Sequence, residues 1–120
     1  MLERARRHAE FLGAELSRVV HVPGVFDMTL AVKKLLQRAD IEGVVMIGAV
    51  IKGETGHDEL IAGAAAKAAT DLALAFDKPV GLGITGPGMN RLQALDRIDN
   101  AKNAVESVVR MVRTLGEIGK

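Results

Sequence analysis

Val44-Val-Met-Ile-Gly-Ala-Val-Ile-Lys-Gly-Glu-Thr-Gly-His-Asp-Glu59 is the stretch that decides the fold. Its first residues are apolar and largely β-branched, which suits a short buried strand over Val44 to Val50. The residues that follow it, from Asp58 to Phe76, are alanine-rich. They place Ile61, Ala65, Ala68, Leu72 and Ala75 on one helical face. Between strand and helix lies a glycine-spaced turn. A turn at the carboxyl end of a strand, feeding a helix amino terminus, presents unpaired N–H groups and a positive dipole end to an anion. Thr55 adds a hydroxyl and His57 a group that exchanges a proton near neutral pH. The pattern points to chemistry on a small phosphorylated molecule.

Working outward, helices and strands alternate. Leu2 to Leu12 reads as a helix closed by Gly13, with Leu2, Ala5, Ala9 and Leu12 inward and His8 on the polar side. Leu16 to Val22 reads as a strand, stopped by Pro23-Gly24. Phe26 to Gln37 is expected to be a helix. A third strand is expected from Pro79-Val80 through Ile84, then a Gly86-Pro-Gly88 loop. Asn90 with Gln93 is expected to cap a short helix. A last helix is expected from about Asn100 to Leu115. Val105, Val108, Val109 and Val112 face inward there, and Gly116 terminates it. Such alternation implies an α/β fold, a three-layer sandwich with a parallel sheet. Ligands bind beyond the carboxyl ends of such strands. The segments Pro23–Asp27, Lys52–His57 and Thr85–Met89 are therefore expected to converge on one site.

Composition narrows the classes. The 120 residues 1–120 are expected to form one domain. A net charge of +1 with no Trp or Tyr argues against nucleic acid as a partner. There is no Cys, and the three histidines make no ligand cluster, so no metal site is expected. No apolar run approaches a membrane span, and a cytoplasmic protein is the expectation.

Each motif also has a plainer reading. Gly53, Glu54, Thr55 and His57 can form an ordinary surface turn. Asp27 can cap a helix and nothing more, and Arg97 can pair with Asp96 or Asp99 at the surface instead of holding phosphate. His8 and His21 are read as structural. Gly81-Leu-Gly-Ile-Thr-Gly86 matches the dinucleotide glycine spacing, but these glycines fall inside a strand, where glycine more often admits close approach of another backbone.

Taken together, the segments Val22-Pro-Gly-Val-Phe-Asp27, Leu30-Ala-Val-Lys-Lys-Leu35, Gly48 to His57 and Leu92-Gln-Ala-Leu-Asp-Arg97 resemble the lumazine synthases. Lys78-Pro-Val80 and Gly86-Pro-Gly-Met89 resemble the archaeal branch. The resemblance implies a flavodoxin-like sheet and the penultimate step of riboflavin biosynthesis, with no cofactor. It implies that Gly53, Glu54 and Thr55 form the phosphate loop and that His57 transfers protons. It implies an Arg97 that binds phosphate in a neighbouring subunit's site, within a pentamer or a sixty-subunit shell. Val25, Phe26 and Asp27, with Gly24, would hold the ribityl chain. Val50 and Ile51 would line the ring pocket, and Leu82 would stand where many members place a phenylalanine over the ring. The alternatives are a non-catalytic oligomer or ligand-binding variant of the fold and, against the Gly-Glu-Thr-Gly-His stretch, a paralogous riboflavin synthase.

The resemblance also implies a strand ahead of the first helix, whereas here Met1 opens directly into that helix. Strands 16–22 and 44–50 are then expected to flank an absent neighbour, about 10 Å apart, twice the usual spacing. The sheet is expected to close up, to recruit another segment, or to stay open.

Overall fold

The computed structural model describes residues 2–51, 57–89 and 99–119, and for residues 50, 51, 57, 58, 85–89 and 99 the backbone alone. Helix α1 runs Leu2–Phe11 and ends at Gly13, whose φ of +76° suits a residue without Cβ. A single 3-10 turn, Val25–Asp27, leads into α2, Met28–Leu36. Strand β1 spans Val44–Ile51, α3 His57–Phe76, β2 Val80–Met89 and α4 Asp99–Ile118.

The two strands pair in parallel, from Val44 opposite Val80 to Ile51 opposite Met89. Side chains alternate across the sheet, so each strand feeds two cores. Val44 and Met46 pack with Val32 and Leu36 of α2, Ile41, and Ala65 and Ala69 of α3. Val45 and Ile47 pack on the opposite face against Ala5 and Ala9 of α1 and Ala101 and Val105 of α4. The result is three layers, helices on both faces of a parallel sheet, as the alternation implied.

Aromatic side chains are nearly absent, and small residues let the layers approach instead. A Cβ on Gly81 would lie 2.7 Å from Val108 Cγ2 and 2.8 Å from the Ala104 carbonyl oxygen. One on Gly83 would lie 3.2 Å from Ala104 Cβ. The glycine series of β2 therefore seats helix α4 directly on the strand, as the in-strand reading anticipated.

Four expectations are corrected. Residues 16–22 form no strand, and Leu16, Val19 and Val20 are exposed. β-Branched residues favour extended backbone, but a strand persists only where its N–H and C=O groups find a neighbour. β1 pairs with β2, and among the described residues no strand lies along its other edge. Of the three expected outcomes, the sheet stays open there. Second, Gly86-Pro-Gly88 lies within β2. The register slips between Ala49 and Ile51, where β2 carries the extra residues, so the segment is a bulge. Third, α4 continues through Gly116 to Ile118. Glycine in a helix interior costs only about 1 kcal/mol, which the flanking turns absorb. Fourth, His8 faces inward. It is 9% exposed, with Nε2 3.4 Å from Glu106 Oε1 on α4 and its ring stacked on Phe11. Its structural role stands, with Glu106 meeting the polar group that burial would otherwise leave unpaired. His21, by contrast, is exposed outside any strand.

Candidate functional site

The carboxyl end of β1 is where the described candidates gather. Pro23-Gly24 breaks the extended segment, and Gly24 is itself extended at φ −160°. The chain then coils tightly through Val25–Asp27 before α2 begins. Val25 and Met28 turn toward the sheet, where a Cβ on Gly48 would lie 3.3 Å from Val25 Cγ2 and 3.2 Å from Met28 Cε. Gly48 thus draws the segment close against β1, just before Val50 and Ile51.

Phe26 and Asp27 face the other way. Phe26 is 65% exposed, although a phenylalanine with a core role would be covered. Leu30, one helical turn on, is exposed to the same degree, at 66%. Asp27 occupies the cap position of α2 yet makes no side-chain capping hydrogen bond, which corrects the capping reading. Its backbone φ and ψ of −81° and −5° are already helical, so the carboxylate is not aimed at the first-turn N–H groups, as an extended cap residue would aim it. The Asp27 Oδ2 lies instead over Gly24, 3.4 Å from where a Cβ would stand. The segment therefore presents a free aromatic ring and a free carboxylate side by side at the strand end. An apolar face with hydrogen-bond acceptors beside it suits a polyhydroxylated chain attached to a ring.

His57 is the first residue of α3. That position puts its backbone at a helix amino terminus, as the sequence suggested. Gly53, Glu54, Thr55 and Arg97, and likewise Asn90 and Gln93, lie outside the described residues. Of the three segments expected to converge, Pro23–Asp27 reaches the end of β1. Thr85–Met89 belongs to β2, and Lys52–Gly56 is outside the described residues.

Leu82 of β2 stands opposite Met46 in the sheet. It is 45% exposed and lines an open hollow of about 340 Å³ with Ala66, Ala69, Thr70, Ala73, Leu74 and Val80. The hollow lies between α3 and β2. The sequence signalled Leu82 only through its place in a family pattern, and nothing in its spacing foretold a second concave surface.

Among the described residues, no three His, Asp or Glu side chains approach closely enough to hold a metal ion. No described helix is long and apolar enough to cross a membrane.

Comparison with known proteins agrees with the layered fold. A family model described as 6,7-dimethyl-8-ribityllumazine synthase matches residues 1–116. A 6,7-dimethyl-8-ribityllumazine synthase of Picrophilus torridus is 60% identical over 115 residues, covering 96% of this chain and 85% of that protein. One from Methanocaldococcus jannaschii is 59% identical over 116 residues, covering 96% and 82%. A third, from Methanothermobacter thermautotrophicus, is 57% identical over 117 residues, covering 98% and 84%.

Proposed function

The chain belongs to the 6,7-dimethyl-8-ribityllumazine synthase family, and from that premise we propose how its residues serve the reaction. It is a transferase of riboflavin biosynthesis. It condenses 5-amino-6-(D-ribitylamino)uracil with 3,4-dihydroxy-2-butanone 4-phosphate to give 6,7-dimethyl-8-ribityllumazine, phosphate and water.

The exposed Val25–Asp27 segment carries the assignment of parts. In our reading the Asp27 carboxylate accepts hydrogen bonds from ribityl hydroxyls and Phe26 covers the apolar side of the same ligand, while Val25, turned onto Gly48, holds the segment against β1. Val50 and Ile51, at the end of β1, border the ring. The phosphate of the second substrate is held by Gly53, Glu54 and Thr55 together with Arg97, whose planar guanidinium matches phosphate oxygens. His57 moves protons as the amine attacks the carbonyl and the imine forms. The place of its backbone at the start of α3, directly after the segment proposed to hold phosphate, supports this role. Holding both substrates in one cleft supplies much of the rate gain. No metal or organic cofactor enters this reading.

Residues 1–120 act as one domain, in the cytoplasm, within a homo-oligomer of five or sixty subunits. In this reading Arg97 serves the phosphate in an adjacent subunit's site, and Leu82 stands over the ring.

Mixing variants tests this arrangement. His57→Ala and Arg97→Ala are each expected to lose activity alone. Unfolded together and reassembled in equal amounts, they are expected to regain it, because about a quarter of the shared sites then pair an intact His57 with an intact Arg97. Light scattering checks that both variants still assemble. A mixture that shows only the mean of the two single-variant rates overturns the shared site.

A further inference from the structure

Lys78 joins two elements that lie far apart in sequence. It stands two residues before β2, and its Nζ donates to the carbonyl oxygens of Leu36 at 2.8 Å and Arg38 at 2.9 Å. Leu36 is the last residue of α2, so the ammonium meets a carbonyl that a helix leaves unpaired at its carboxyl end, while the Arg38 carbonyl also accepts from Ile41 N–H at 3.3 Å. The negative end of the helix dipole favours a cation at that position. The helix is thereby tied to the sheet at its lower end.

Its upper end is the candidate site. The 3-10 turn Val25–Asp27 runs directly into Met28, and Val25 and Met28 rest on Gly48. Between the two ends the fully buried residues of α2 are Val32 and Leu36, one turn apart. These two side chains, with the partly buried Met28 and Leu35, hold the helix against the sheet. At nine residues α2 is about 13 Å long and behaves as a short rigid lever. A shift of its lower end at Leu36 is carried along the helix to Val25–Asp27 at the other.

We propose that Lys78 is a positioning residue for the ribityl-binding segment, acting through α2 from the opposite end of the helix. The inference rests on the reading that Val25–Asp27 hold the ribityl chain. Lys78 touches no substrate. It fixes the height and tilt of the helix that carries Phe26 and Asp27.

Calorimetric titration of the intact chain with 5-amino-6-(D-ribitylamino)uracil, and separately with inorganic phosphate, tests it. Lys78→Met is expected to weaken the pyrimidine about three- to tenfold, well inside the hundredfold that a misplacement of roughly 1 Å costs, and to leave phosphate unchanged. Lys78→Arg keeps a cation at the helix end and is expected to restore most of the affinity. A purely structural lysine lowers the melting temperature and the binding stoichiometry but leaves both affinities as they were, and that result overturns the proposal. Equal weakening of both ligands overturns it too. Phe26→Ala separates the premise from the inference. If it leaves pyrimidine affinity intact, the ribityl reading falls and takes the inference with it. If it weakens binding while Lys78→Met does not, the inference alone falls. Should Lys78→Met fail to fold, Lys78→Gln is titrated by the same criteria.

Discussion

Gly81 and Gly48 lie on neighbouring strands of one sheet, and what sits above each is different. Over Gly81 is α4, with the Ala104 carbonyl and the Val108 side chain closer than any Cβ permits. Over Gly48 are the ends of two side chains, Met28 and Val25, 3.2 and 3.3 Å from where a Cβ would stand, close enough that they would have to give by a few tenths of an ångström. The first region is scaffold, where backbone meets helix and nothing gives. The second is the floor of a site, where the covering segment leaves Phe26 and Asp27 open to solvent. Glycine in a strand thus marks close approach in both places. The identity of the neighbour decides whether that approach serves packing or binding.

The sharpest way to break the comparison is Gly81→Ala. The added methyl meets backbone, so relief requires moving α4, and the expected loss is about 2–3 kcal/mol, in the upper part of the range for overpacking. Urea denaturation measures it. An unchanged midpoint means that α4 is not seated as described.

Gly48→Ala sharpens the comparison from the other side. Its methyl meets the flexible end of Met28 and one methyl of Val25, so the stability cost is expected to be about 1 kcal/mol or less. The same substitution lifts Val25–Asp27 and is expected to raise KM for 5-amino-6-(D-ribitylamino)uracil while leaving KM for the phosphorylated substrate unchanged. Equal changes in both would deny the segment its selectivity.

These contrasts also explain which features were legible in the sequence. The helices α1 and α3 and strand β1 were readable because local signals agreed with burial. Apolar spacing, Gly13 and the β-branched run after Val44 all pointed the same way. Residues 16–22 carried an equally good strand signal, yet a strand depends on a partner that no local pattern supplies. His8 was placed on the polar face because its charge outweighed its spacing, and only Glu106, 98 residues away, makes its burial tolerable. At the candidate site, the roles proposed for Phe26 and Asp27 come from a family pattern. Their exposure and the uncommitted carboxylate emerge only once Gly48 has drawn Val25 inward. The tie from Lys78 to the end of α2 left no sequence signal, because its acceptors are main-chain carbonyls.

The smallest expected effect lies far from both glycines. Arg38 Nε and Nη2 donate to Asp40 Oδ1 and Oδ2, each at 3.0 Å, on the exposed surface. Those hydrogen bonds hold the Asp40 carboxyl below its ordinary range and raise Arg38. A carboxyl lowered in the folded state adds stability above its unfolded pKa, and that contribution fades as the pH falls below about 4. Asp40→Asn is therefore expected to lower the melting temperature slightly at pH 7 and not at pH 3. Full exposure keeps the shift near the limit of measurement. A large shift would mean that the surface near α2 matters more than its packing indicates.

The account stands most directly on Asp27, the carboxylate that occupies a cap position without capping. Asp27→Ala removes acceptors for ribityl hydroxyls, and hydrogen bonds to a charged group are worth about 1.5–3 kcal/mol, or roughly ten- to a hundredfold in affinity. Titration of Asp27→Ala with 5-amino-6-(D-ribitylamino)uracil, beside a thermal melt of the same sample, is the measurement. The predicted result is an affinity loss of at least about tenfold with an unchanged melting temperature. Unchanged affinity with a lowered melting temperature would contradict it, and would return Asp27 to the role of a helix cap.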